Sequence, residues 1–396
     1  MPKSTSFAIR QVPHDDPAKF LLSVYAFDAS PREATDKDRE QDKYLAGSKS
    51  FMSFDGETPL AKVGILPMTM NVRGKVLPMG GIGGVATMPA GRRGGRIRAL
   101  MTRSFEQMRE DDQPVSTLYP FRESFYERLG YVSFPAPIYL QVNPADLAPL
   151  MRLEHAATIE HMVIADGFDA WIQFLQVYQS TCHGFSLQGA SNLAALKDRN
   201  KWWLTLVREN GDITGAMTYR IPGEYKPMHV GTFYATTVAA RYRLLEWIGR
   251  HTDQIKKAQI PALPGEHPEL WWHDMGDKVS TRGTDAWGAP MGRVVSIDGL
   301  AGIPVGDGDV TIGITDAAAP WNTGTWTLRG RNGVLDVEQG GTPTGSISIQ
   351  GFSSVVFNGT DPETIRFRGW GDIGPEMAAQ FRALFPPALP FLHEKF

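Results

Sequence analysis

Residues 85–100, VATMPAGRRGGRIRAL, combine glycines, arginines and a helix start in an arrangement that could hold a pyrophosphate. Gly91, Gly94 and Gly95 permit positive φ angles and let a ligand approach the backbone closely. Backbone amides of residues 93–97 could then converge on an anion at the positive end of the following helix. Long-range attraction would come from four arginines, which are Arg92, Arg93, Arg96 and Arg98.

The residues just before this turn are predicted to add backbone contacts. Val85, Ala86 and Thr87 end an expected strand, and its free N–H and C=O groups could pair with an extended amide ligand as an added strand does. Pro89 ends that strand because proline has no N–H to donate. Together the two features predict a ligand that carries both a pyrophosphate and an amide-containing arm.

Other interpretations of this region compete. The stretch GIGGVA at residues 81–86 fits a relaxed dinucleotide-binding fingerprint, but its glycines lie within the strand and Pro89 prevents a helix from following directly. A nucleotide P-loop would end in Gly-Lys-Ser/Thr, and the segment has no such ending. A basic nucleic-acid patch or an arginine-rich surface helix stays open, although the formal net charge of −3 and the lack of interleaved aromatics favour neither.

The turn resembles the acetyl-CoA loop of the GNAT N-acetyltransferases. That loop has the pattern Arg or Gln, two residues, Gly, one residue, then Gly or Ala. Arg92, Gly95 and Ile97 occupy those places, and the isoleucine departs from the pattern. The resemblance implies that acetyl-CoA is the cosubstrate and that no metal is needed.

A second segment, FRESFYERLGY at residues 121–131, resembles the GNAT helix that passes the thioester. The resemblance implies that Phe121 and Arg122 contact the coenzyme. It also implies that Tyr126 is the general acid for the departing coenzyme A thiolate, a role that suits a phenol of pKa about 10. The alternative is that Tyr126 only packs with its apolar neighbours.

The elements that must position these residues lie in the first of three predicted domains, residues 1–144, which alternate helical and strand signals. The strong helix begins directly after the glycine turn. Expected helices are 19–26, 28–43, 95–109 and 122–129, and expected strands are 50–54, 59–66, 68–76, 80–88 and 116–119, followed by a strand pair over 131–142 that Pro135 and Pro137 interrupt.

Residues 145–290 are predicted to form a second, degenerate copy of this domain. The pair Asn210-Gly211 favours a tight hairpin. The connection TVAARYRLL at residues 237–245 has no glycine, so a second cosubstrate site is not expected. The expected elements are strands 201–208, 214–221 and 230–236 and a helix over 239–260.

Residues 291–396 change character and form the third predicted domain. Strands are expected over 309–314, 325–330, 333–337 and 346–356, and a single helix over 374–385. The chain ends in FPPALPFLHEKF, which is apolar where an unattached tail is usually polar. This tail is therefore expected to dock on the protein.

The whole plan resembles the Eis (enhanced intracellular survival) family. The resemblance implies an α/β (α+β) fold with tandem GNAT-like domains and a third domain similar to sterol carrier protein 2. It also implies that the terminal carboxylate of Phe396 is the general base, that the acceptor is a lysine side chain, polyamine or aminoglycoside, and that the assembly is a hexamer built on trimers. The alternative function is a lipid- or small-molecule-binding protein that uses the GNAT domains as a scaffold.

Departures from the family bear on the acceptor. Gly83 and Gly84 replace a Ser-Phe pair and would leave a wider or differently shaped wall. Lys395 precedes the terminus and would disfavour a cationic acceptor, whereas Asp28 could offset this by attracting an amine. A free α-carboxyl has a pKa of about 3.5, so the Phe396 carboxylate would need partial burial or an intervening water to accept the proton.

Composition limits the classes of protein. Cys182 is the single cysteine, which excludes an internal disulfide and a thiolate metal cluster. No apolar stretch is long enough to cross a bilayer, and the N-terminus lacks the apolar core of a secretory signal. A cytoplasmic protein without nucleic-acid partners is expected.

Overall fold

The computed structural model describes residues 7–28, 30–154, 156–223, 226–273, 279–281, 288–358 and 361–396. Two compact units divide the chain. The first unit consists of Met1–Phe134, Cys182–Leu193 and Ala289–Phe396, and the second of Pro135–Thr181 and Ala194–Gly288. Within the described ranges, no helix combines the length and the apolar character that a membrane span requires.

The elements are numbered in chain order. The strands are β1 Ala8–Val12, β2 Lys49–Asp55, β3 Thr58–Val72, β4 Lys75–Thr87, β5 Val115–Leu118, β6 Val132–Ser133, β7 Ile138–Val142, β8 Thr158–Val163, β9 Ser186–Gln188, β10 Trp203–Glu209, β11 Asp212–Arg220, β12 Met228–Ala235, β13 Ala258–Ala262, β14 Val279–Ser280, β15 Met291–Val294, β16 Asp309–Thr315, β17 Gly324–Arg331, β18 Val334–Gln339, β19 Ser346–Ser348 and β20 Gly371–Asp372. The helices are α1 Pro17–Phe27, α2 Asp36–Asp42, α3 Arg96–Glu110, α4 Glu123–Glu127, α5 Pro144–Leu147, α6 Ile164–Gln179, α7 Ala190–Arg199, α8 Val238–Gly249, α9 Ile349–Asn358, α10 Glu363–Phe367 and α11 Pro375–Leu384.

The first unit contains two sheets. The larger has eight strands in the order β1-β2-β3-β4-β5-β15-β6, with β9 paired to β3, and the smaller has the order β18-β17-β16-β19-β20. Strands β9 and β15 are far in sequence from the strands that they join. One hydrophobic cluster includes residues of both sheets and of α9, for example Met70, Ile312 and Phe352.

Helix α3 covers one face of the larger sheet. Its apolar residues Leu100, Met101, Phe105 and Met108 recur at helical spacing and are fully buried. The helix begins after Gly95, whose φ of 76° is left-handed. The expected helix over 95–109 is therefore confirmed, and the glycine turn is fixed to the core by the helix that follows it.

The second unit is built on one sheet in the order β14-β7-β13-β12-β11-β10-β8. The predicted Asn-Gly hairpin is confirmed, because Asn210 and Gly211 join β10 to β11 with φ angles of 54° and 95°. The predicted helix over 239–260 is wrong in its second half. Helix α8 ends at Gly249, and Ala258–Ala262 forms β13, which pairs with β7 in the interior of the sheet.

Two predicted strand sets in the first unit are also corrected. The short strands expected over 59–66, 68–76 and 80–88 are one long hairpin of β3 and β4, since Pro67 lies within the ladder opposite Gly80 and the turn falls at Arg73 and Gly74. The strand expected over 346–356 ends at Ser348.

The second part of the strand expected over 346–356 is in fact helix α9, whose Phe352, Val355 and Phe357 are almost completely buried. A helix that is buried on all sides loses the amphipathic pattern that would distinguish it from a strand. These side chains belong to the hydrophobic cluster that includes Ile312 of β16 and Leu328 of β17 in the third predicted domain.

A buried ion pair connects the larger sheet to the smaller. Arg293 on β15 has no exposed surface, and its guanidinium donates to the carbonyl of Leu129 and to the carboxylate of Asp316 while it lies 4.1 Å above the ring of Phe105. The Asp316 carboxylate also accepts from the amides of Ala318 and Ala319 and from Asn322 Nδ2, so both charges are fully hydrogen-bonded.

We predict that Asp316→Ala lowers the free energy of unfolding of this unit by about 3–5 kcal/mol, because it leaves an uncompensated buried guanidinium. The double variant Arg293→Met/Asp316→Leu should lose less, because it removes both charges. Urea denaturation followed by tryptophan fluorescence measures the difference.

The matched control is Arg331→Met, since Arg331 forms an exposed pair with Asp336 at 3.7 Å. An exposed pair contributes about 0–1 kcal/mol. Equal losses in Asp316→Ala and in Arg331→Met would contradict the assignment.

Candidate functional site

Strands β4 and β5 separate at the point where the sequence predicts free backbone groups. Their parallel pairing ends at Ile82 and Leu118. On the other side of β4, Lys62 pairs with Ala86 and Gly64 with Gly83, so Gly84 and Val85 together face one residue of β3 in a bulge. Beyond Ile82, no strand among the described residues pairs with the β5 side of β4, so its backbone there can pair with an extended ligand.

The start of α3 presents a run of backbone amides to the same place. The first helical hydrogen bond runs from Ala99 N to Gly95 O, and Arg92 N donates to Pro89 O. Among the described residues, the amides of residues 93–98 have no backbone acceptor. Gly95 and Arg93 adopt left-handed φ angles of 76° and 61°. Free amides at a helix N-terminus are typical of anion-binding sites.

A cavity of about 830 Å³ lies over these groups. Five of its lining residues are arginines and none is acidic. The predicted site residues that line it are Val85, Ala86, Thr87, Arg92, Arg93, Gly95, Arg96, Ile97, Arg98 and Phe121. The structure thus brings the strand end, the glycine turn and the first residue of the second motif together around one cavity.

Some predicted residues stand apart from this lining. Gly94 and Arg122 are exposed and do not line the cavity. The Arg96 side chain is buried, donates to the carbonyl of Phe54 at 3.2 Å and lies over the ring of Phe7, so it offers the cavity little of its charge.

Sequence reasoning missed one wall of the cavity. The end of α1 contributes it, and two of its aromatic residues, Tyr25 and Phe27, are exposed although large. The guanidinium of Arg92 lies 5.9 Å from the ring centre of Tyr25. The sequence does show these aromatic residues at the end of a helix. Helical periodicity alone, however, predicts that they pack in the core and not that they line a cavity. The other missed lining residues are Ala26, Phe125, Arg128 and Leu129, whereas Gly91, which the sequence indicated, also lines the cavity.

Tyr126 lies behind the cavity wall. It is 2 % exposed, and its ring makes edge contacts with Phe121, Phe125 and Tyr131 at centroid distances of 5.5, 5.0 and 6.1 Å. Burial raises the pKa of Tyr126 well above its usual value, so the phenol stays protonated. Within the described part of the chain, its hydroxyl has no hydrogen-bond partner. The group can therefore donate to a ligand.

The opposite face of β4 receives the C-terminus. The ring of Phe396 lies so close to Gly81 that a Cβ atom there would be 2.9 Å from it, and the same ring meets Tyr119 edge-on at 6.0 Å. Gly81 is thus required for packing. This requirement explains the glycine without the dinucleotide-binding fingerprint considered for residues 81–86. The predicted docking of the tail is confirmed.

The remaining predicted acceptor residues differ in their surroundings. Gly83 pairs with Gly64 beside the bulge, and Gly84 has a left-handed φ of 59°, so this floor carries no side chain. Asp28 forms an ion pair with Arg32 at 2.7 Å. Its charge is therefore largely neutralised, which weakens its predicted attraction for an amine.

A buried cation beside this floor escaped sequence analysis. Lys62 is buried, and its ammonium donates to Ser23 Oγ and to the Lys19 carbonyl of α1. Burial, with a smaller effect from Lys19, lowers the pKa of Lys62 to about 8. No carboxylate among the described residues pairs with it, and no local sequence pattern marks it.

Family models match three parts of the chain. A GNAT acetyltransferase domain matches residues 9–133, a second GNAT acetyltransferase domain matches residues 190–294, and a sterol carrier protein domain matches residues 299–393. The two GNAT matches together span more than half of the sequence. The chain is a GNAT acetyltransferase. No curated protein matches it.

Solved structures share the fold of this GNAT protein over nearly its whole length. A probable N-acyltransferase of unknown function from Enterococcus faecalis has 20% identity and a TM-score of 0.85, covering 99% of this chain and 100% of its own. A GCN5-related N-acetyltransferase from Anabaena variabilis has 17% identity and a TM-score of 0.84, with 98% and 100% covered.

Eis1 from Mycobacterium abscessus has 17% identity and a TM-score of 0.76, with 99% of this chain and 100% of Eis1 covered. The domain plan of the GNAT protein, two GNAT domains and a sterol carrier domain, is therefore Eis-like. The expected α/β (α+β) fold class is confirmed.

The cavity fits the cosubstrate that the GNAT fold implies, acetyl-CoA. The free amides at the start of α3 and the exposed arginines suit its pyrophosphate, and the separated edge of β4 suits its amide-containing arm. Residues 85–87 and 92–98 of the GNAT protein are thus the candidate coenzyme contacts.

We predict that Gly95→Ala weakens coenzyme A binding about tenfold, equivalent to about 1.4 kcal/mol. The left-handed φ of Gly95 resists a Cβ atom, and the space that this atom would enter is empty of protein atoms. Isothermal titration calorimetry with coenzyme A measures the change.

Gly211→Ala is the matched control, because Gly211 also has a positive φ and open space around it but lies in the β10–β11 turn. It should bind coenzyme A like the parent chain. Equal affinities of the two variants would contradict the assignment of the glycine turn.

Proposed function

We propose that this protein transfers the acetyl group of acetyl-CoA to a primary amine at the separation of β4 and β5. The observation that carries the proposal is the cavity in which unpaired amides of residues 93–98, exposed arginines and the free edge of β4 meet. Each of these suits one part of coenzyme A, and together they lead its thioester toward the bulge at Gly84 and Val85.

In the proposed reaction the amine nitrogen attacks the thioester carbonyl directly. A C–N bond forms, the C–S bond breaks, and the electron pair of that bond leaves with sulfur. Tyr126 gives its phenolic proton to the thiolate, and the nitrogen gives up a proton to the terminal carboxylate of Phe396 through an intervening water. Solvent exchange then returns both groups to their starting states.

The acid role is supported by the position of the unpartnered phenol of Tyr126 next to the lining residues Phe121 and Phe125. Burial raises its pKa above the value of about 10 expected from the sequence, so the phenol is protonated but a weaker acid than expected. The base role is supported by the contact of the Phe396 ring with Gly81, three residues before the bulge. The two groups would thus act from different sides of β4.

For the acceptor we propose a lysine side chain, a polyamine or an aminoglycoside-like amine. Among these, the charges on the acceptor side favour the lysine side chain, which carries one positive charge, over the polycationic polyamines and aminoglycosides. Lys62 is a buried cation without a described carboxylate partner, Lys395 is exposed beside the terminus, and Asp28 is paired with Arg32. A hexameric assembly remains a proposal from the Eis resemblance.

We predict that Tyr126→Phe lowers kcat about 100-fold, because the thiolate loses its proton donor, and leaves the KM for acetyl-CoA unchanged. Thiol release from acetyl-CoA, measured with a panel of monoamines and polyamines, provides the readout. Tyr242→Phe on α8 of the second unit is the control and should retain full activity. A kcat of Tyr126→Phe within threefold of the parent value would exclude the phenol as general acid.

Extension of the chain by two serines after Phe396 tests the base. The terminal carboxylate moves away while the Phe396 ring can stay on Gly81, so we expect a loss of kcat of at least tenfold with unchanged affinity for coenzyme A. The same thiol-release assay and calorimetry measure the two quantities. Full activity of the extended chain would rule out the carboxylate as proton acceptor.

A further inference from the structure

The C-terminal tail, residues 391–396, runs beside a segment that interrupts the second unit in sequence. This segment, Cys182–Leu193, belongs to the first unit and contains β9. Phe391 N donates to the carbonyl of His183 at 2.9 Å. The ring of His393 stacks on Phe185 at 4.6 Å with an interplanar angle of 11°. The tail thus binds to Cys182–Leu193 within the first unit, and this segment is called the receptor segment below.

The receptor segment is itself fixed to the strand that supports the site. Strand β9 pairs with β3 in the register Met68 with Gln188 and Met70 with Ser186. Further backbone bonds run from Asn71 N to Phe185 O and from Gly189 N to Pro67 O. Because β3 also pairs with β4 from Ala61 to Val72, a group held by β9 is fixed relative to β4.

Gln188 is the residue of this segment that reaches the end of the tail. Its side-chain amide donates to the carboxylate of Glu394 at 3.1 Å and to the carbonyl of Lys395 at 3.4 Å, and its backbone N–H donates to the same carboxylate at 3.4 Å. Glu394 N donates to Ser186 Oγ at 3.3 Å.

On the other side, Tyr119 OH donates to the Glu394 carbonyl at 3.3 Å. Residue 394 is therefore held through its carboxylate, its amide and its carbonyl. Phe396, whose ring rests on Gly81, is only two residues further along the chain.

We infer that Gln188 and Glu394 are positioning residues, which hold the C-terminal tail so that the Phe396 carboxylate stays at the acceptor side of β4. The inference rests on the proposed function for the role of that carboxylate. It assigns to the inserted segment Cys182–Leu193 an indirect task in catalysis, because the segment acts through its hydrogen bonds to the tail.

The titration of Glu394 gives this contact a pH dependence. Burial raises the pKa of Glu394 to about 7 from its ordinary 4.5, against the smaller opposing effect of the Gln188 hydrogen bonds. The groups that face it are Gln188 and Ser186 of the receptor segment, Tyr119 after β5, and on the tail Lys395 and His393, whose own pKa burial lowers to about 3.

The docked tail therefore holds a proton that the free tail releases above pH 4.5. The Glu394 contribution weakens docking as the pH rises through about 7. Below about pH 6.5 the lowered pKa of His393 acts in the opposite direction, because docking there displaces the proton of the free imidazole.

Hydrogen exchange of the full chain, followed by mass spectrometry at pH 6 and pH 8 and corrected for intrinsic rates, tests the inference. We expect the peptide that covers residues 391–396 to be less protected at pH 8. Gln188→Ala should reduce its protection at least fivefold at pH 6, and Glu394→Gln should abolish the loss of protection at pH 8 because its amide does not ionise, which leaves only the opposite effect of His393.

In the thiol-release assay, Gln188→Ala should lower kcat about tenfold without changing the KM for acetyl-CoA. Gln11→Ala, at an exposed position on edge strand β1 of the same sheet, is the matched control for both measurements and should change neither.

Two results would overturn the inference: unchanged tail protection in Gln188→Ala, or reduced protection with an unchanged kcat. Because exchange is measured without substrate, it separates this inference from the proposed function. Failure of the parent chain to release thiol with any amine would count against the proposed function, whereas the exchange result decides whether Gln188 holds the tail.

Discussion

The buried guanidinium of Arg293 is the constraint on which much of this structure depends. A charge without solvent is tolerated only when it is paired and hydrogen-bonded, and Arg293 meets this condition through Leu129 and Asp316. Leu129 follows helix α4, which carries Tyr126, and Asp316 follows β16 of the smaller sheet. The position of the proposed acid therefore depends on residues almost two hundred positions later in the chain. Gly130 makes the approach possible, because a Cβ atom there would lie 2.9 Å from the guanidinium.

The acceptor side of β4 is likewise built from distant parts of the chain. The hairpin of β3 and β4 supplies a floor of glycines, and the last residue of the chain lies on one of them. Gly81 accepts the ring of Phe396 on one face, and Gly80 on the other face leaves room for Met108 of α3. These glycines serve close packing rather than a phosphate turn, whereas Gly95, with open space beside it, remains suited to an anion. The glycine-rich segment in β4 and the one before α3 thus differ in role, although they lie only a few residues apart in sequence.

The parts of the fold that sequence reasoning predicted are those with strong local signals. The glycine turn before α3, the periodic apolar face of that helix and the Asn-Gly hairpin depend on residues close together in sequence. The errors arose where tertiary contacts decide. Strand β3 continues through Pro67 because its neighbours on both sides complete the ladder, and α9 is helical although its apolar run is equally typical of a buried strand. The insertion of β9 and β15 into the first sheet has no local signal at all.

Through its resemblance to a known family, the sequence determined the α/β (α+β) class and the order of GNAT-like and sterol-carrier-like parts. It also indicated the candidate coenzyme segment, because glycine, proline and arginine act through the conformation and charge of their own few residues. Only the tertiary structure decided that the Arg96 side chain turns inward, that Arg32 neutralises Asp28, and that Lys62 is a buried cation beside Gly84. It also decided that Gln188 and Glu394 meet although they are separated by more than two hundred residues. The burial and pairing of these side chains depend on which distant segments fold against each other, and local sequence patterns do not specify those contacts.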